Sequence, residues 1–185
     1  MLFNSKAYGG CVAEILALDQ DGKRLIPLVS GVCSRDSARS RLQDCKASAL
    51  FPNAYAPEAA LGGLWAYFSC FDEAHEIVQA LPSVEGSYWH AILHRQEPDA
   101  VNSAYWFRRV GKHPTFAELN RSAGDILRSY PEAGFRTGAD WDAFSFVEFC
   151  EKARQQPNAP SERAALEIQR IEWQLLFDHC ARPKE

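Results

Sequence analysis

The sequence predicts an all-α fold, a bundle-like arrangement of about six to eight helices in a single domain over residues 1–185. Three observations lead there. From Pro57 onward apolar residues recur every three or four positions. The intervening segments are short and marked by Pro and Gly, as in YPEAGFRTGAD and QQPNAP. The chain has 185 residues, 46% hydrophobic and 24% charged, the length and composition of one ordinary globular domain. It shows no internal repeat, no low-complexity segment and no linker that would divide it.

Taken in order, residues 1–33 are the least legible. CVAEILALDQDGKRLIPLV reads as a short helix, a turn at Asp21-Gly22 and an extended piece. A β-hairpin with strands over 11–18 and 23–29 around the Asp-Gly turn is the other reading. The helical neighbours and Glu14 favour the helix. Ser34 or Asp36 is placed to cap a second helix with Ala38, Leu42, Cys45 and Ala49 on its inner side. Pro57 to Ala80 reads as one helix, with Leu64, Tyr67, Phe68, Phe71, Ala74, His75 and Val78 on a common face. Gly62 and Gly63 near its start would weaken it or admit a close neighbour. DEAH at 72–75 matches a helicase box, but the chain has no GK[ST] phosphate loop to accompany it.

Ser87 suits the start of a helix ending near Gln96, and Pro98 the first turn of another ending at Val110, stopped by Gly111. Pro114-Thr115 opens a helix to about Ser129, closed by Pro131. Trp141 to Arg154 carries Phe144, Phe146, Val147, Phe149 and Cys150, too apolar for a fully exposed helix. The last helix starts at Ser161-Glu162, with a stripe of Ala164, Ile168, Ile171, Leu175 and then Asp178 or His179.

A net charge of −4 and a pI near 5.8 speak against a nucleic-acid binder, although Arg108, Arg109 and Lys112 allow a local basic patch. The opening MLFNSKAYGG lacks the pattern of a signal peptide, and no stretch has the apolar length of a membrane span. The six cysteines form no CxxC, so the expectation is reduced, mostly buried thiols in a cytoplasmic protein. The number of aromatic residues leaves room for a homodimer.

Chemistry concentrates between Gly86 and Pro114, which holds three of the five histidines and two of the five tryptophans. His90 and His94 stand four residues apart, on one face of a helix, where two imidazoles can hold one metal ion. Glu97 or Asp99 can add a carboxylate, so His90, His94 and Asp99 form a candidate site for zinc, iron or manganese with open positions. His75 and His179, from other helices, can converge on the same point. The middle residue is Ala91, so this is not HExxH.

A second reading makes the stretch a pocket for an anionic small molecule. There Arg95, Arg108 and Arg109 hold the anion, Glu97 and Asp99 orient them, and Asn102, Tyr105 and Trp106 complete the wall. His90 and His94 are then the acid/base groups. A third reading is structural: arginines paired with Glu97 and Asp99 fix the angle of two helices and do no chemistry.

The run His90, His94, Arg95, Glu97, Asp99, Asn102, Tyr105, Trp106, Arg108, Arg109, Val110, Gly111 fits the pattern HxxxHRxExDxxNxxYWxRRVG. It resembles the signature of a family of uncharacterised bacterial and fungal proteins with no established function. The resemblance covers roughly residues 60–115 and implies that the cluster is a family feature, without naming a reaction. The sequence thus leaves two expectations. One is a helical protein with an anionic-ligand pocket over 87–113, working by His-based acid/base or metal-assisted hydrolysis. The other is a non-catalytic interaction protein whose polar cluster is a hydrogen-bond network.

Overall fold

The computed structural model describes residues 3–183, and among them it contains ten α-helices, two short 3₁₀ turns and no strand. The helix count is above the six to eight expected, because two of the expected helices are each broken in two. Residues 5–8 form a 3₁₀ turn, followed by α1 (Gly10–Ala17) and a second 3₁₀ turn over 20–22. The hairpin reading of this region fails. Residues 23–28 lie instead against the last helix, where Gln169 Nε2 donates to the Ile26 carbonyl at 2.8 Å. Gln174 Nε2 likewise donates to the Gly22 carbonyl at 2.8 Å. Backbone groups satisfied by buried side chains need no partner strand.

The second expected helix divides into α2 (Asp36–Leu42) and α3 (Ala47–Leu50). Arg35, not Ser34 or Asp36, occupies the N-cap position, and the Ser34 hydroxyl donates to Asp19 at 2.8 Å. The long helix expected over 57–80 also divides, into α4 (Pro57–Tyr67) and α5 (Phe71–Gln79). Ser69 sits at φ 57° between them, which no helix accommodates. Cys70 beside it forms a disulfide with Cys33, correcting the expectation of reduced thiols for this pair. Of the other cysteines, Cys150 and Cys180 are buried and Cys11 is exposed.

α6 (Val84–Gln96) begins earlier than expected, because Ser83 rather than Ser87 caps it, its hydroxyl accepting from Gly86 N at 3.0 Å. Every residue from Glu85 to Gln96 is buried, so α6 is the helix the others cover. It packs most on α7 (Ala100–Val110), and also on α5, α4 and α9 (Ala143–Ala153). α7 is capped by Asp99 and stopped by Gly111, whose φ of 61° suits glycine. α8 (Phe116–Arg128) and the 22-residue α10 (Pro160–Ala181) complete the set.

Glycines let α4 approach its neighbours. A Cβ on Gly63 would stand 2.6 Å from Trp89 of α6, and one on Gly62 would stand 2.7 Å from Val78 of α5. Three side-chain pairings tie α6 to α10: Glu85 with His179, Tyr88 with Glu172, and Arg95 with Glu172 and Gln169. Residue numbers rise along one helix as they fall along the other, so the two run antiparallel. No helix of the described residues is long and apolar enough to cross a membrane.

Candidate metal centre

α5 and α6 together bring three histidines to one point. His90 and His94 lie one turn apart on α6, and their rings stack with centroids 4.6 Å apart. His75 of α5 meets them from the side, its Nε2 3.0 Å from His90 Nε2. One ligand nitrogen from each of the three lies within 4.8 Å of the others. Nitrogens bound to one tetrahedral zinc ion at about 2.0–2.1 Å stand about 3.3 Å apart, so small ring movements would close the set on an ion.

Neighbouring groups fix the rings. Glu97, just past the end of α6, has Oε2 2.7 Å from His94 Nδ1. A carboxylate on Nδ1 fixes the proton there and leaves Nε2 as the ring's acceptor, the arrangement found behind metal-bound histidines. Asn102 of α7 approaches His94 Nε2 with its amide nitrogen at 3.1 Å. Trp106, one turn further on, stacks on His90 with centroids 4.1 Å apart. His90 Nδ1 is buried and has no hydrogen-bond partner.

The protonation states suit a cation. Burial, followed by the neighbouring imidazoles of His94 and His75, pushes His90 down to about 4. Burial and then the His94 charge push His75 in the same direction. Rings that are neutral at neutral pH are the forms that coordinate metals. His90 and His94 are buried, whereas His75 is partly exposed and opens the cluster to solvent.

The other residues expected at the site take different positions. Asp99 does not join the histidines: its Oδ1 accepts from Asn102 N at 3.0 Å as the cap of α7. His75 takes the third place beside His90 and His94, while His179 lies with Glu85 and His113. Arg95 turns away from Glu97 and Asp99 and pairs with Glu172 of α10, both side chains being 1% exposed or less. Gln169 Oε1 accepts from Arg95 Nη2 at 3.2 Å, Tyr88 donates to Glu172 Oε1 at 3.1 Å, and Phe146 lies 4.7 Å under the guanidinium. This sealed network corrects the pairing expected from the sequence. Arg108, Arg109 and Tyr105 lie on the exposed side of α7, with Arg109 over the Trp106 ring at 5.2 Å. Four surface clefts of about 270 to 390 Å³ are lined by none of these expected residues.

Two groups escaped the sequence reading. Glu172 and Gln169 sit beside Ile168 and Trp173 on the buried side of α10, and polar residues interrupting an apolar stripe were their only signal. Glu85 and His113 share no spacing that could have marked them. No family model matches the chain, and neither does any curated protein or solved structure.

Proposed function

We propose that the protein is a metal-dependent enzyme of hydrolytic type in which His75, His90 and His94 hold one divalent ion of the zinc, iron or manganese class. The observation that carries this reading is the convergence of three imidazole nitrogens within 4.8 Å, with the Glu97 carboxylate behind His94. Three nitrogen ligands leave a fourth position for water or substrate, and the ion would supply Lewis acidity and an activated water there. Glu97 would hold the His94 tautomer, Trp106 the His90 ring plane, and Asn102 lies beside His94 Nε2. The exposed guanidiniums of Arg108 and Arg109 suit an anionic small-molecule substrate. Arg95 belongs to the buried network with Glu172 and takes no part in binding.

The experiment is elemental analysis of the purified, untagged protein beside the His90→Ala/His94→Ala variant. Zinc, iron or manganese near one ion per site in the native protein, reduced in the variant, is the expected result. The metal-loaded protein should then hydrolyse anionic esters, phosphate esters first, faster than the free ion in buffer. Equal metal content in the two proteins would rule out the three-histidine centre.

A second reading has its own support in the Arg95, Glu172, Gln169 and Tyr88 network, whose bonds join α6 to α10 without reaching solvent. In that reading the protein is a non-catalytic interaction module. Metal binding without hydrolysis of any anionic ester would favour it.

A further inference from the structure

All five histidines of the chain fall into two groups, and the second lies apart from the three-histidine centre. Glu85 stands in the first turn of α6, His113 in the loop before α8, and His179 in the last turn of α10. At about 100° per residue, Glu85 faces about 180° away from His94 around α6, so the two groups occupy opposite sides of that helix. We infer that Glu85, His113 and His179 form a second divalent-cation site, of zinc class, beside the cleft that His113 lines.

Their ligand atoms all lie within 4.8 Å of one another. Glu85 Oε1 is 3.5 Å from His179 Nε2, and the His113 and His179 rings meet edge to face with centroids 4.8 Å apart. A further observation points to a ligand. His113 is 5% exposed, and its Nε2 is buried with no hydrogen-bond partner. Thr115 holds its other nitrogen: the Thr115 backbone N–H donates to Nδ1 at 3.3 Å, and Oγ1 lies 2.8 Å from it. A buried ring nitrogen left without a partner is costly, and an ion taking the place of the Nε2 proton would supply one. Glu85 is itself 7% exposed, and among the described residues its only ion-pair partner is His179. His179 already faces this carboxylate, and an ion between the three would add a second positive charge.

Two imidazoles and one carboxylate are an established donor set for zinc and for non-haem iron, and they leave positions for water or an oxygen ligand. The adjoining cleft, about 390 Å³, is lined by His113 with Lys112, Phe116, Asn120 and Trp141. This site shares no residue with the three-histidine centre, so either can exist without the other.

The test is a titration of the metal-stripped full chain with zinc alone, read against a chromophoric chelator. The native chain should take up about two equivalents, each site coupling deprotonated ligands to one ion. Glu85→Gln/His179→Gln should lose one equivalent, and His90→Ala/His94→Ala should lose the other. Undiminished uptake by Glu85→Gln/His179→Gln overturns the second site and leaves the three-histidine reading standing. Loss in that variant, with no loss in His90→Ala/His94→Ala, upholds the second site and overturns the first. Because a variant can fail to fold, ring-nitrogen NMR signals of His113 and His179 are followed in the native chain as well. Shifts on adding zinc support the site, and signals unmoved at saturating zinc overturn it.

Discussion

At the scale of single residues, two carboxylates have opposite duties. Glu172 neutralises Arg95 where neither side chain meets water. Glu172→Ala leaves a buried guanidinium without its carboxylate, and the expected loss is about 3 to 5 kcal/mol in denaturant unfolding. Replacing Arg95 and Glu172 together by Met and Leu should cost much less, since no charge is stranded. A loss from Glu172→Ala below about 1 kcal/mol would mean that water reaches the pair. Glu97 is exposed and acts through His94. Glu97→Gln should therefore leave the unfolding midpoint nearly unchanged while weakening zinc affinity about 10- to 100-fold. A zinc affinity equal to that of the native chain would remove Glu97 from the centre. Sequence spacing alone brought His90 and His94 together, because one helical turn is a local property. It assigned Arg95 the wrong partners, because Glu172 lies 77 positions away.

At the scale of elements, close helix packing and capping give separate predictions. Gly63→Ala drives a methyl group into the buried Trp89 ring and should cost about 1 to 3 kcal/mol. Gly124→Ala, inside α8 with only Thr137 Oγ1 at 3.5 Å, should stabilise by about 0.5 to 1 kcal/mol. Thermal unfolding of the two variants reads both effects, and a harmless Gly63→Ala would contradict the α4–α6 contact. Asp142 caps α9, accepting from Phe144 N at 2.9 Å, Ser145 N at 3.1 Å and the Ser145 hydroxyl at 2.6 Å. The Ser145 hydroxyl, followed by these backbone donors, holds the carboxyl below its usual range. A depressed folded pKa gives stability that is present above the unfolded value, near 4, and lost as pH falls through the folded one. Asp142→Ala should cost about 1 kcal/mol at neutral pH, with the difference from the native chain shrinking in acid. A gap that widened in acid would reverse this sign. Helices α6 to α10 were legible because apolar periodicity, caps and Pro/Gly stops agree there. The breaks near 43–46 and 68–70 were not, since periodicity continues through both and only the backbone reveals the interruption.

At the scale of the molecule, the Cys33–Cys70 disulfide closes a loop of 37 positions and fastens the irregular segment after residue 28 to the junction of α4 and α5. By loop entropy Cys33→Ser should lower stability by about 3 to 4 kcal/mol under oxidising conditions and leave it unchanged in excess reductant. Equal midpoints in both conditions would mean that the two thiols are not joined. The sequence by itself determined the helical class, most helix positions in the second half, and the concentration of functional residue types around His90 and His94. These follow from periods of three to four residues, which each segment carries within itself. Tertiary structure alone decided that His75 completes the first cluster, that Arg95 turns inward to Glu172, and that Glu85, His113 and His179 meet across α6, α10 and the loop before α8. Those groupings depend on which helices pack together and at what rotation, and that is set by the fit of whole surfaces rather than by the spacing within any one of them.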